Sequence, residues 1–167
     1  SVTIPNSVTS IGEGAFWGCS GLTSVTIGNS VTSIGRDAFQ NCSGLENCTI
    51  KNNGLIGESA FANCSKLQKV RLGNQVGDIN QRAFYNCVLL DSLILPNTVK
   101  TLGDSVFYNC NSALYTEYEY GKYISDANNP YAVLVELTNK NLSTYTIHED
   151  TKIIGYGVFN GCSRLTS

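Results

Sequence analysis

The phrase Ile-Gly-x-x-Ala-Phe-x-x-Cys begins at Ile11 and returns at Ile34 and Ile56. Looser copies open at Ile79 and Leu102, and the phrase comes back once more at Ile154. Phe16, Phe39, Phe61, Phe84 and Phe107 are therefore 23, 22, 23 and 23 residues apart. A period in this range specifies a solenoid: one such unit cannot bury its own apolar face, and stacked units can.

Aligning the copies on Phe exposes the rest of the unit. A strand signal, Leu-x-x-Val-x-Ile, is carried by Leu22, Val25 and Ile27, by Leu45, Cys48 and Ile50, by Leu67, Val70 and Leu72, and by Leu90, Leu93 and Leu95. Its period of two sends Val25 and Ile27 inward and Ser24 and Thr26 outward. A second apolar pair follows at Val8/Ile11, Val31/Ile34, Val76/Ile79 and Val99/Leu102; the third copy, KNNGLIGESAF, is one residue short there. Gly12, Gly35, Gly57, Gly103 and Gly155 come next, with Asn80 in the fourth copy, which predicts a left-handed backbone turn at this point. Ala-Phe-x-x-Cys reads as one helical or 3₁₀ turn with Phe and Cys on one inward face. Parallel strands about 4.8 Å apart, six of them, make a rod roughly 25–30 Å long. Its expected core is a Phe row (Phe16, Phe39, Phe61, Phe84, Phe107, Phe159) and a Cys row (Cys19, Cys42, Cys64, Cys87, Cys110, Cys162).

The phrases IPNSVTSIGEGAFWGCSGLTSVTI and LPNTVKTLGDSVFYNC resemble the BspA-like leucine-rich repeat family, the 23-residue class of surface proteins. The resemblance covers almost the whole chain. It implies a right-handed, curved stack of about six coils, with a parallel β-sheet on the concave face and short helical or 3₁₀ turns on the other. It also implies a cell-surface or secreted location and adhesion to host or neighbouring-cell proteins or glycans.

The chain has seven cysteines. Six return once per repeat, as a packing residue would, and Cys48 fills a strand slot that is Val or Leu elsewhere. Cys behaves as a small, readily buried hydrophobe, and equivalent side chains in parallel coils point side by side, not at each other. All seven are expected to be free, buried and slow to react.

Phe107 and Phe159 are 52 residues apart, one period plus 29. Leu142, Tyr145 and Ile147 carry the returning strand, so the surplus lies at 113–141, ALYTEYEYGKYISDANNPYAVLVELTNKN. Its β-branched and aromatic runs, split by Gly121 and DANNP, predict two or three extra strands in a hairpin-like insert. A Tyr-rich insert with an Asn-Pro-Tyr phrase also resembles variant coils of the same family. The whole of 1–167 reads as one domain, opening and stopping inside a repeat: an excised fragment, uncapped at both ends and prone to end-to-end association.

The net charge of −2, with 14% charged residues, gives no basic stripe for nucleic acid. No apolar run is long enough to span a membrane. The one histidine, His148, sits in the strand-end slot that holds Pro5 and Pro96 elsewhere, on the solvent side and away from the inward cysteines. A Cys–His nucleophile is not expected, and cysteines one repeat apart lack the C-x₂-C spacing of zinc sites. Glu117, Glu119, Asp126, Glu136, Glu149 and Asp150 form a loose acidic rim without the short fixed spacing of a calcium loop. Asn41, Asn47, Asn63 and Asn141 fit the N-glycosylation pattern, and only Asn141 reads as accessible. No enzyme and no cofactor are expected.

What remains is a surface. One outward row is Thr3, Thr26, Thr49, Arg71, Ile94 and Thr146, and the next is Ser1, Ser24, Asn47, Lys69 and Ser92. The candidate binding residues are Thr26, Thr49, Lys69, Arg71, Ile94 and Thr146, with Tyr118, Tyr120, Tyr123 and Tyr131 of the insert. A flat polar ladder of this kind suits weak, repeated contacts; the alternatives are a spacer that displays another domain and, last, an enzyme.

Overall fold

The computed structural model describes residues 1–51 and 54–166. Each repeat makes one coil with two short strands. The Leu-x-x-Val-x-Ile phrase gives the first: β1 (Val2–Ile4), β3 (Ser24–Ile27), β5 (Asn47–Ile50), β7 (Lys69–Leu72) and β9 (Ser92–Leu93). The second apolar pair gives β2 (Ser10–Ile11), β4 (Ser33–Ile34), β6 (Leu55–Ile56), β8 (Asp78–Ile79) and β10 (Thr101–Leu102). The two sets form two five-stranded parallel sheets, each in chain order. The register is one repeat: Val25 pairs with Cys48, Cys48 with Val70, and Ile11 with Ile34. The solenoid has about seven turns, one more than the six repeat copies, because the insert adds a turn of its own. The shortened connection of the third copy includes Asn52 and Asn53, which lie outside the described residues.

The Ala-Phe-x-x-Cys stretch is a run of tight turns, not a helical turn. Among the described residues the 3₁₀ helix is Ser112–Leu114. In coil one Ala15, Trp17 and Cys19 donate back three residues, to Gly12, Gly14 and Phe16. The residues between them, Gly14, Phe16 and Gly18, donate to Arg36, Ala38 and Gln40 of coil two. This alternation repeats down the array, so a third ladder of backbone bonds joins each coil to the next.

It also relocates the left-handed turn. Positive φ occurs not at the Gly12 position but two and six residues later: Gly14 and Gly18, then Asp37 and Asn41, Ser59 and Asn63, Arg82 and Asn86, Ser105 and Asn109. The recurring Gly answers to close approach instead. A Cβ on Gly57 would lie 2.6 Å from Ile34 O, and one on Gly103 would lie 2.3 Å from Gln81 N. Asn is the non-glycine residue best suited to positive φ, and here its side chain pairs as well. Asn63, Asn86 and Asn109 each donate Nδ2 to the Oδ1 of the previous Asn, at 3.1, 3.1 and 2.9 Å.

Between the ladders lies the core. The rings of Phe16, Phe39, Phe61, Phe84 and Phe107 stack in parallel, with centroids 4.9, 5.0, 5.3 and 5.7 Å apart. The repeat cysteine does more than fill space. Its thiol donates to the Phe carbonyl of the preceding coil: Cys42 to Phe16 at 3.1 Å, Cys64 to Phe39 and Cys87 to Phe61 at 3.2 Å, Cys110 to Phe84 at 3.3 Å.

The ends of both core rows differ from expectation. In the first coil Phe16 is half-buried and Cys19 exposed. Phe159 does not join the ring stack; it tilts against Tyr145, 6.0 Å away, and with Cys162 is only half-buried in a second cluster around Tyr123, Leu134, Leu137 and Val158.

The insert explains the break. After β11 (Thr116–Tyr118) and β12 (Gly121–Ile124), strand β13 (Val133–Leu137) runs antiparallel to β12 and parallel to β14 (Ile153–Ile154) of the last coil. Val133 and Leu134 hold β14 as any second-sheet strand holds the next, with Gly155 N–H on Leu134 O at 2.8 Å. The insert is thus a variant coil. The first sheet ends differently too: Tyr145 to Ile147 form no strand, and Leu95 bonds instead to Ser125 and bridges to Asp126.

Phe61 is fully buried between two rings, whereas Phe16 has a ring on one side only. Phe61→Ala is expected to cost about 3–5 kcal/mol in denaturant melts, and Phe16→Ala clearly less. Equal losses at both sites would contradict this core.

Candidate functional site

The outward faces of the first sheet build one candidate surface. Register sets Thr3, Thr26, Thr49 and Arg71 in one line, and Ser24, Asn47, Lys69 and Ser92 in the next. Thr26, Thr49 and Lys69 are half-buried; Arg71 is exposed, as is Ile94 beside β9, at 59%. Lys69 and Arg71 point outward from one strand because they alternate with Val70 and Leu72. Neither makes an ion pair among the described residues. Lys69, Arg71, Asn74, Ile94, Pro96 and Ala127 line a shallow open hollow, so the cationic strand meets the tip of the insert. Thr146 is exposed but is not part of this sheet, for want of a sixth strand.

That tip is held firmly. Asn128 N–H bonds the Asp126 carboxylate at 2.9 Å, Tyr131 N–H bonds Asn129 Oδ1 at 2.8 Å, and Asn129 Nδ2 reaches Asp150 O at 2.6 Å. Asp126 is buried and paired with Lys152, so it leaves the expected solvated acidic rim. Burial alone would raise its pKa, but the Lys152 ammonium and the Asn128 and Asn129 amides hold it below the usual range.

The insert tyrosines form a packed cluster, not an open patch. Tyr123 is wholly buried, which removes it from the binding surface. Its hydroxyl pairs with that of Tyr145 at 2.9 Å and accepts from His148 N–H at 3.3 Å. Tyr131 stacks on the His148 ring at 3.8 Å, and Tyr118 meets that ring edge-on at 4.8 Å. Both tyrosines are half-buried; Tyr120 alone of the four is exposed. His148 is accordingly half-buried between aromatic rings, not open to solvent, and its Nδ1 accepts from Asp150 N–H at 3.2 Å.

Among the described residues no group of three or more His, Cys, Asp or Glu is placed to hold a metal, and no helix is long and apolar enough to cross a membrane. All seven cysteines are free, but Cys19 is exposed and Cys110 and Cys162 half-buried, against the expectation of seven buried thiols. Of the glycosylation matches, Asn47 is exposed along with Asn141, while Asn41 and Asn63 belong to the amide ladder.

A model of the BspA type leucine-rich repeat region matches residues 1–113 and 136–167, in six copies. The chain belongs to the BspA-type leucine-rich repeat family. The unmatched stretch, 114–135, holds β11, β12 and the loop that follows, so the family pattern resumes within β13. Among curated proteins no sequence matches the chain.

Similar solved structures include a leucine-rich repeat protein from Eubacterium ventriosum: 28% identity, TM-score 0.68, covering 96% of this chain and 36% of that one. The pneumococcal vaccine antigen PcpA is similar at 25% identity and TM-score 0.60, covering 98% and 43%. A leucine-rich cell surface protein from Faecalibacterium prausnitzii shares the fold at 24% identity and TM-score 0.56, covering 98% and 59%. The chain thus spans between 36% and 59% of the length of these structures. A BspA-type repeat is a binding type of fold and generally non-catalytic.

The buried thiols give this domain a pH dependence. Burial pushes the Cys42 pKa up to about 11 and that of Cys110 up to about 12, and raises those of Cys48, Cys64 and Cys87 as well. The native state therefore keeps protons that the unfolded chain releases above its ordinary thiol pKa of 9.0. This stability is fully present below pH ~9 and is lost as pH rises through the folded values. Denaturation midpoints are expected to fall progressively above pH ~9, and to fall less in Cys48→Val. A midpoint that is flat up to strongly alkaline pH would contradict this reading.

Proposed function

We propose that this BspA-type domain is a non-catalytic binding module of a cell-surface or secreted protein, engaging host or neighbouring-cell proteins or glycans in adhesion. One observation carries the reading: two cations, Lys69 and Arg71, with no ion-pair partner among the described residues, lie side by side with exposed Ile94 in a hollow at the insert tip. Acidic groups on the partner, carboxylate or sulfate, are the chemistry this hollow suits. The threonine and serine rows of the earlier coils supply weak supporting contacts, and a longer array can multiply them. The location belongs to the same proposal. It is supported by family membership and by the description of PcpA as a vaccine antigen.

A spacer role is the second reading. It is favoured by the bare hydroxyl rows of coils one to three, which carry no charge on the first sheet.

Binding of the chain to a panel of acidic and neutral glycans and matrix proteins tests both. Salt-sensitive binding to acidic members is expected. The double variant Lys69→Ala/Arg71→Ala should weaken it roughly two- to thirtyfold, as two exposed ion pairs would. Binding that ignores both charges would move the site elsewhere, and silence across the panel at high density would favour the spacer.

A further inference from the structure

The turn ladder runs through four steps and stops at coil five. In coils one to four, the N–H groups at the Phe and two residues either side of it donate to alternate carbonyls of the following coil, at 2.7–3.0 Å. In coil five the equivalent residues are Ser105, Phe107 and Asn109. Their backbone is set the same way: φ is 54° at Ser105 and 57° at Asn109, against 54° at Asp37 and 61° at Asn41. The Phe107 ring lies within 3° of parallel to Phe84, and Asn109 is tied to Asn86. The three N–H groups therefore face away from coil four, and none has an acceptor among the described residues.

The insert is the reason. Where a regular coil turns after its second strand, β13 continues past a bulge at Val135 to Leu137, with Glu136 and Leu137 paired to Lys122 and Gly121 of β12. Among the described residues no carbonyl of β13 takes a bond from the coil-five amides. A cleft of about 250 Å³ opens instead, lined by Ser105 and Phe107 together with Val135, Leu137 and Gly157, and Asn109 lies just outside this lining. Exposed Tyr108 and Tyr156, at 57% and 72%, also line it. The carbonyl of Phe107, which in other coils takes the next thiol, is already filled by the Tyr115 hydroxyl. The cleft offers donors, fixed in place by ring stack and amide ladder.

The chain itself shows four times what such a row of donors holds: the backbone carbonyls of every second residue of a polypeptide segment. We propose that this cleft is a second binding site, taking a short segment of a partner protein by its backbone. Its alternate carbonyls would bond the amides of Ser105, Phe107 and Asn109, and its side chains would rest against Tyr108 and Tyr156. A glycan offers acceptors without this regular spacing, and a lone carboxylate is too small to span the row. Backbone recognition of this kind follows the logic of strand addition to an open edge. The pre-set donors lower its ordering cost. The site is independent of the Lys69–Arg71 hollow.

The test uses the whole chain, ¹⁵N-labelled, and a peptide copying residues 58–64 with serine for its cysteine. In the protein, that segment's Glu58, Ala60 and Ala62 carbonyls accept from Asp37, Phe39 and Asn41. Weak binding is expected, with Kd on the order of 0.1–1 mM, and amide shifts centred on Ser105, Phe107 and Asn109. An ester in place of the amide after Ala60 should weaken it several-fold, as should Tyr108→Ala/Tyr156→Ala. Lys69→Ala/Arg71→Ala should leave it unchanged, which separates this site from the sheet face. Hydrogen exchange checks the premise: the Phe107 amide should exchange about tenfold or more faster than that of Phe84. Protection equal to Phe84, shifts confined to β7, no shift at millimolar peptide, or response to acidic oligosaccharides but not to peptide would each overturn the proposal.

Discussion

Everything in this molecule depends on backbone groups finding their partners in the next coil. A coil of about 23 residues has almost no structure of its own; its two strands are two to four residues long. Short strands are stable only as rungs, and at each of the four regular steps both parallel sheets and the turn ladder are satisfied. Side chains serve that requirement. The Phe stack sets the spacing, the Asn row permits positive φ and bonds itself, and the thiol secures the Phe carbonyl of the coil before it. This accounts for a cysteine in every repeat without any disulfide or metal. The slot calls for a small apolar group with one weak donor, and a thiol is both.

The insert interrupts one strand of this arrangement while preserving another. β13 reproduces the second-sheet pairing well enough for the last coil to dock, and residues 125–126 replace the sixth strand of the first sheet. The turn ladder has no substitute. Symmetry is broken at one place, where an exposed aromatic rim and the insert tip lie on the neighbouring faces. Such a break gives one place in the array a chemistry that the identical rungs do not carry.

Much of this was legible in the sequence. The period, both apolar rows, the position of the insert and the outward rows of the first sheet follow from spacing and alternation, and the structure sets Lys69 and Arg71 where alternation places them. Three things were not legible. The Gly12-type position reads as a left-handed turn, but its constraint is contact with the preceding coil, which no local pattern encodes. Asn41, Asn63, Asn86 and Asn109 recur as plainly as the cysteines, and their recurrence in a slot that is Gly18 and Gly161 elsewhere was the available sign of positive φ. The fate of Tyr123 and of Tyr145 to Ile147 depended on how a non-repeating segment packs, and periodicity is silent there.

The junction after coil five has a mechanical consequence. Regular steps are bonded along two sheets and a turn ladder, so a load pulling the ends apart is shared among three parallel rows. After coil five the turn ladder stops and the second sheet ends at β10, which leaves Tyr156 N–H on Leu102 O, at 3.3 Å, as a backbone bond from the last coil to that edge. A stack of springs in series extends first at its softest member. Under tension the junction of residue 102 with residue 156 is the step expected to yield before the regular steps of the first five coils.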